Sequence, residues 1–426
     1  MLHFTKIKGS NNAMTVLKKV FKLFFKRDIL AFFFLGLSCG IPLNLIGNTL
    51  AVRATQSGLD LKTIGLFALV MTPYSLKFLW SPVIDTFSLP FANRFGKKKT
   101  WAVLFQICLG ACLLSISLVD VAMQTNLLFA LCFLCAFCSA SQDIVVDALR
   151  IDVLDEDSLK EASSTYQLGY RIAMLITGAG VIALSSRVSW ATCYQLSVVL
   201  FILGICGLFL IKEPVLKQKT SSALPLKQML IEPFSNFISR HKNWFILLCF
   251  ILLYKMCNAF LGKMAYPFYL KTGFSPDEIA LVSGTIGTFI TMFGVFCGGA
   301  LMLKFGYLKS LMYLGFVEIL TSVAFALLAV IGPKVYAFMG VIIFDNIVGG
   351  MGGAVWVGFL SSLCVPAYSA TQYALLTSFT MFSTSVLAAY SGHLAEYMGW
   401  EKFFLSTGFM MIPALILLGW MLKKGE

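Results

Sequence analysis

The run Phe137-Cys-Ser-Ala-Ser-Gln-Asp-Ile-Val-Val-Asp-Ala-Leu-Arg-Ile-Asp152 closes an apolar stretch that begins near Asn126. At 1.5 Å rise per residue, a helix over this stretch crosses a hydrocarbon core of ~30 Å. It ends in Gln142, Asp143 and Asp147, and the two aspartates are spaced to put both carboxylates on one helical face. A carboxylate inside a membrane is costly unless it faces a water-filled path or a cationic partner. Such a face marks the passage of something polar, or a gate.

Similar apolar runs recur along nearly the whole chain. Of its 426 residues, 58% are hydrophobic and only 12% charged, with a mean hydropathy of +0.85, against about 25% charged in a soluble domain. That composition describes an all-α membrane protein, because helices satisfy their own backbone in lipid. Twelve spans are expected, near 28–51, 62–84, 100–122, 126–149, 163–186 and 190–211, then 244–270, 276–303, 310–331, 335–360, 369–393 and 401–422.

The net charge of +13 raises the question of nucleic acid, but its distribution excludes it. Most of the 33 Lys plus Arg residues fall on one side of these spans. The other side holds only Arg53, Lys62, Arg187, Lys271, Lys334 and Lys402, and Lys77, Arg171, Lys255 and Lys263 lie within spans. This asymmetry is that of cytoplasmic loops and places both termini inside the cell. Residues 1–27 are basic and amphipathic and lack the order of a cleavable signal peptide, so they are expected to lie on the inner leaflet; Met14 is an alternative start. Cys132, Cys135 and Cys138 have a ligand-like spacing, yet in an apolar helix, without a complete ligand set, they read as small packing residues. No disulfide framework, metal or cofactor is implied.

The polar stretch 212–243 divides a first bundle, 28–211, from a second, 244–422. The halves echo each other: Arg94-Phe-Gly-Lys97 matches Lys304-Phe-Gly-Tyr307, and Trp190 matches Trp400, both at an offset of 210. Two parallel six-helix halves about a central cavity resemble the major-facilitator architecture. The connection Ser81-Pro-Val-Ile-Asp85 followed by Arg94-Phe-Gly-Lys-Lys-Lys99 is similar to that superfamily's acidic–basic loop between spans two and three. Asp85, Arg94 and Lys97, with Arg150 at the end of span four, are therefore the expected gating residues.

Counting residues inward places Lys77 and Asp143 each roughly 9 Å deep and Arg171 roughly 12 Å, one possible layer. Lys255 and Asp345 fall near the midplane, and Glu318 sits in span nine, a helix usually peripheral in such a bundle. Each charge reads either as a structural ion pair or as a substrate contact. Asp143, Asp147, Asp345 and Glu318 are the carboxylates able to carry a coupled proton, and the sequence does not choose between them. Lys77, Gln142, Asp143, Tyr170, Arg171, Lys255 and Trp356 are the expected substrate contacts. Gly349-Gly-Met-Gly-Gly353 suits close helix packing, Gly40-Ile-Pro42 a kink, and His393 a membrane boundary.

At this point the chain resembles the AmpG muropeptide permeases. The resemblance is carried by Leu61-Lys-Thr-Ile-Gly-Leu-Phe67, Lys77-Phe-Leu-Trp-Ser-Pro-Val-Ile-Asp85, Cys138-Ser-Ala-Ser-Gln-Asp-Ile-Val-Val-Asp-Ala148 and Leu168-Gly-Tyr-Arg171, then by Leu253-Tyr-Lys255, Gly349-Gly-Met-Gly352 and Ser369-Ala-Thr-Gln-Tyr-Ala-Leu-Leu376. It implies an inner-membrane symporter that imports anhydromuropeptides with protons for cell-wall recycling; separately, a monomer is expected. Two departures stand out. Asn258 occupies a position where the family often has an acid, which shifts the expected coupling role toward Asp345 or Glu318, and the chain stops after twelve spans where longer members continue. The alternatives are a carrier of another anionic conjugate such as acetyl-CoA, and a membrane receptor that binds without transporting. An enzyme is not expected, since the polar residues form no nucleophile–base pair or metal set.

Overall fold

The structure, a computed structural model, describes residues 26–59, 63, 67–213, 226–385 and 390–424. The expected surface segment before Lys26, most of the Leu61–Phe67 motif and the start of the linker lie outside these residues. All regular structure among the described residues is helical.

Ten helices there are long and apolar enough to cross a membrane. The first is α1 (Arg27–Gln56), with Pro42 inside it and a turn just beyond, at Ile46 and Gly47. The expected span 62–84 is not one helix: short α2 (Thr72–Leu76) and α3 (Ser81–Thr86) alternate with single turns of 3-10 helix over Phe67–Met71 and Lys77–Leu79. Pro73 and Pro82 sit in the first turns of α2 and α3. Each removes a backbone donor and disfavours helix at the residue before it, so the segment restarts at each proline.

The first half continues as α4 (Lys97–Leu118), α5 (Thr125–Val153), α6 (Glu156–Ser185) and α7 (Trp190–Leu210). After the linker helix α8 (Leu226–Arg240) come α9 (Trp244–Thr272), α10 (Leu281–Phe305), α11 (Tyr307–Ile331) and α12 (Val335–Ser362). The expected span 369–393 is represented by α13 (Ser369–Ser385) and α14 (Ser391–Met398), and α15 (Trp400–Lys424) closes the chain. The chain is a multi-pass membrane protein, and its described helices fit a twelve-span arrangement.

Each half has its own apolar core. The first gathers Phe32, Leu109, Cys135 and Tyr194, and the second is split into a cluster around Phe250 and Phe359 and another around Phe325 and Phe404. Within each half one helix pair is drawn together by glycine. A Cβ on Gly36 of α1 would collide with the Tyr166 carbonyl of α6, and one on Gly350 of α12 with the Thr291 carbonyl of α10. Small residues there let backbones meet, which drives packing where lipid supplies no hydrophobic contrast. The internal repeat is visible as well: Gly96 and Gly306, 210 residues apart, precede α4 and α11 with φ of 98° and 75°. That left-handed backbone region accepts glycine without strain.

Candidate functional site

The halves are joined by polar contacts at one end of the molecule, the basic end, which carries Lys97, Lys98, Lys99, Arg240 and Lys242. Asp85, at the end of α3 in the first half, reaches the start of α13 in the second. Its Oδ2 accepts from the Thr371 backbone N–H (2.8 Å) and hydroxyl (2.8 Å), and its Oδ1 from the Ala370 N–H (3.3 Å). The first N–H groups of any helix lack partners within it and favour an anion. Here that cap comes from the opposite half. Lys98 Nζ holds the same carboxylate at 2.6 Å and lies 3.8 Å from Asp152, while Lys97 Nζ donates to the Asp85 backbone carbonyl. Glu213 steadies the basic run by accepting the Lys98 and Lys99 N–H groups at 2.9 and 3.0 Å.

A second cross-half contact lies beside it. Arg150, fully buried, pairs with Asp147 at 2.9 Å one turn back on α5. The same Nη2 donates to Ser361 Oγ of α12 (3.1 Å) and Tyr373 Oη of α13 (3.3 Å), and the guanidinium packs over Tyr166 at 4.7 Å. Higher on α5, Gln142 points to α1, donating to Ser38 Oγ at 2.9 Å. Asp143 leaves Oδ1 buried without a hydrogen-bond partner. The buried Lys77 ammonium acts electrostatically on Asp143 and Asp147, yet makes no ion pair within 4 Å among the described residues.

A third cluster spans the halves at the centre. Arg171 of α6 and Lys255 of α9 are close enough for their charges to act on one another. The Lys255 ammonium lies 4.8 Å from the ring centre of Trp356, which stacks on Tyr254 at 5.4 Å with an interplanar angle of 8°. The Tyr254 hydroxyl donates to the Leu311 carbonyl at 3.1 Å, fixing the platform. Glu318 is buried and turned inward: its Oε1 accepts from Asn258 Nδ2 at 2.9 Å, and its charge acts on Lys255. Its Oε2, Arg171 Nε and Trp356 Nε1 are buried without hydrogen-bond partners among the described residues. Gly352 makes room for this carboxylate, since a Cβ there would lie 3.3 Å from Oε1. Asp345 is half-buried nearby and its charge reaches Glu318.

The structure thus sorts the residues read from the sequence. Lys77 meets Asp143 and Asp147, whereas Arg171 joins Lys255; Tyr170 lies between, within electrostatic reach of both Asp143 and Arg171. Asp85 and Arg150 cross between the halves. Arg94 is exposed and packs on its neighbour Phe95 at 5.6 Å. Lys98, Thr371, Tyr373, Ser361 and Asn258 were not singled out for these roles. The run Ser369–Leu376, which contains Thr371 and Tyr373, held the available signal.

Residues 29–383 match the sequence model of the Major Facilitator Superfamily. A putative transporter AmpG 4 of Rickettsia conorii is 34% identical, over 95% of this chain and 99% of its own. The anhydromuropeptide permease of Escherichia coli K12 is also 34% identical, over 90% of this chain and 77% of its own. The chain belongs to the Major Facilitator Superfamily, in its AmpG branch. It is a secondary transporter, and its relatives are permeases rather than enzymes. The fold agrees with two solved transporters. A proton:xylose symporter, XylE, bound to 6-bromo-6-deoxy-D-glucose superposes with a TM-score of 0.68 at 11% identity, over 96% of both chains. The Escherichia coli fucose:proton symporter FucP gives 0.68 at 13% identity, over 92% of this chain and 98% of its own.

Proposed function

We propose that this transporter imports anhydromuropeptides across the inner membrane, coupled to protons, with both termini and the basic end in the cytoplasm. The identity to the Escherichia coli anhydromuropeptide permease over nine-tenths of the chain supports the substrate class. The observation that carries the reading is the central site, where Lys255 of the second half lies against the stacked Trp356–Tyr254 pair and Arg171 of the first half is within electrostatic reach of Lys255. Sugar rings pack on such an aromatic face, and peptide carboxylates accept from the guanidinium and ammonium. An anion held by both cations ties the halves together, which is the differential contact that alternating access requires.

Coupling follows from charge balance. With Glu318 and Asp345 ionised, Arg171 and Lys255 are compensated; a proton on Glu318 leaves a cationic excess that favours an anionic substrate. Proton and substrate then bind together. Glu318 suits this role because one oxygen is held by Asn258 and the other is unpartnered beside Lys255. Asp147 is committed to Arg150, and Asp143 lies within electrostatic reach of Lys77 rather than of the central cations. Substrate release into the cytoplasm requires breaking the Asp85–Thr371 and Arg150–Ser361 contacts.

Uptake of labelled anhydromuropeptide into vesicles, with and without an inward proton gradient, tests the proposal. Accumulation that collapses with the gradient is the expected result. Binding without accumulation would make the protein a receptor, and no binding would move the substrate to another anionic conjugate.

A further inference from the structure

A chamber of about 700 Å³ opens at the basic end, lined mainly by the second half. Its walls are mostly apolar, from Leu159, Leu247, Leu308, Phe359 and Met421, with Ser361 and Ser362 beside them. Its rim is basic, from Arg240, His241 and Lys242 at the end of α8. Arg240 and Lys242 are exposed, and neither makes an ion pair within 4 Å among the described residues. The rim's one acid, Glu156, is already matched by Lys160 at 3.3 Å. The chamber is thus mostly apolar inside and cationic at its mouth.

Its depth is set by α8. This helix packs on α13 through Gln372, whose Nε2 donates to the Pro233 carbonyl and Asn236 Oδ1, both at 3.2 Å. Phe237 is buried, whereas Ile231 and Ile238, two turns apart on one face, are exposed. A helix with one face on protein and isoleucines among the exposed residues of the other suits the membrane interface. At that depth the basic rim would sit at headgroup level and the apolar walls at the level of the upper acyl chains.

We propose that this chamber binds an anionic phospholipid of the adjoining leaflet, headgroup phosphate on Arg240 and Lys242 and upper acyl chain against Leu247, Leu308 and Phe359. An apolar interior below a cationic rim matches both parts of such a molecule, and a soluble anion would use only the rim. The site also bears on gating. Ile151, Glu156 and Leu159 come from the first half and the other walls from the second, and Ser361, which accepts from Arg150 across the halves, lines the chamber. A lipid seated there braces the closed arrangement of the basic end.

The test uses the purified full-length transporter and phosphatidylglycerol, with phosphatidylcholine and inorganic phosphate as comparison probes. Lipid binding is read by quenching of a labelled lipid and by retention through detergent exchange. The wild type is expected to retain phosphatidylglycerol over phosphatidylcholine. Loss of rim charge in Arg240→Ala and Lys242→Ala should weaken it by about fivefold for each charge removed. Lys309→Ala, an exposed charge of the same end outside the chamber, should leave retention unchanged, and Ser362→Trp, which fills the chamber while keeping the rim, should abolish it. Competition by inorganic phosphate as strong as by lipid would overturn the proposal in favour of a soluble anion. Equal retention of the two lipids, or undiminished retention by the double rim variant or by Ser362→Trp, would overturn it outright.

Discussion

The buried charges that join the halves at the basic end are paired, and those at the centre are not. Asp85 with Lys98 and Asp147 with Arg150 form ion pairs at 2.6 and 2.9 Å, and hydroxyl and amide groups from the other half complete them. Half-buried Arg171 and Lys255 and buried Glu318 make no ion pair within 4 Å among the described residues. Removing one partner from a buried pair leaves an uncompensated charge, so the paired cluster resists change and holds one arrangement of the halves. An unpaired cation over an aromatic platform, with a second cation in electrostatic reach, is poised for an incoming ligand. One cluster stores a conformation, and the other responds to what binds.

The most severe way to break this contrast is to remove the central cations. Hydrogen bonds to charged groups contribute about 1.5–3 kcal/mol each, so Arg171→Ala with Lys255→Ala should weaken muropeptide binding more than about a hundredfold. Calorimetric titration of the purified variant measures it. An equal loss for the neutral disaccharide would mean that the cations hold the fold and do not bind the peptide carboxylates. Glu318→Gln comes next: gradient-driven accumulation should fall to the level seen without a gradient, while exchange of substrate across the membrane continues. If Asp143→Asn alone had that outcome, the coupled proton would belong to the Lys77 cluster.

How much of this was legible in the sequence differs between the two clusters. Fold class, membrane insertion and the two halves follow from apolar run length and charge asymmetry, which are one-dimensional signals. Broken span two was foreshadowed by Pro73 and Pro82, yet hydropathy averages over both and reports a continuous run. Residues at the gate were half legible: Asp85 and the basic run stood out, but three consecutive lysines give no way to tell which one turns inward. Glu318 was hardest. Its inward position depends on how α11 is rotated against α9 and on the space left by Gly352, and neither is a property of the local sequence. Asn258 was visible as a missing acid, and the structure supplies a carboxylate at the same place from another helix.

Smaller effects are expected at the gate, where several contacts share each load. Asp85→Ala removes a helix cap supplied by the other half, worth about 0.5–2 kcal/mol. Hydrogen exchange of the peptide containing Ala370 and Thr371 should accelerate by roughly twofold to thirtyfold, because those amides lose their acceptor. Unchanged exchange would mean that α13 keeps its first turn without the latch.

The three basic residues around Asp85 then separate by geometry alone, although their charge is the same. Lys98 is buried on the carboxylate, Lys97 donates to the Asp85 backbone carbonyl, and Arg94 is exposed with Phe95 beneath it. Lys98→Ala strands Asp85 and should reproduce the transport defect of Asp85→Ala. Lys97→Ala should give a weaker version, since it leaves the ion pair and the cap in place. Arg94→Ala should stay within about twofold of wild-type uptake, as expected of a substitution that breaks no contact between the halves. Uptake rates for the three variants at matched membrane levels decide it. Equal defects would show that the loop acts through its summed positive charge, and the reverse order would mean that the gate in transport uses a different lysine from the one buried in this closed state.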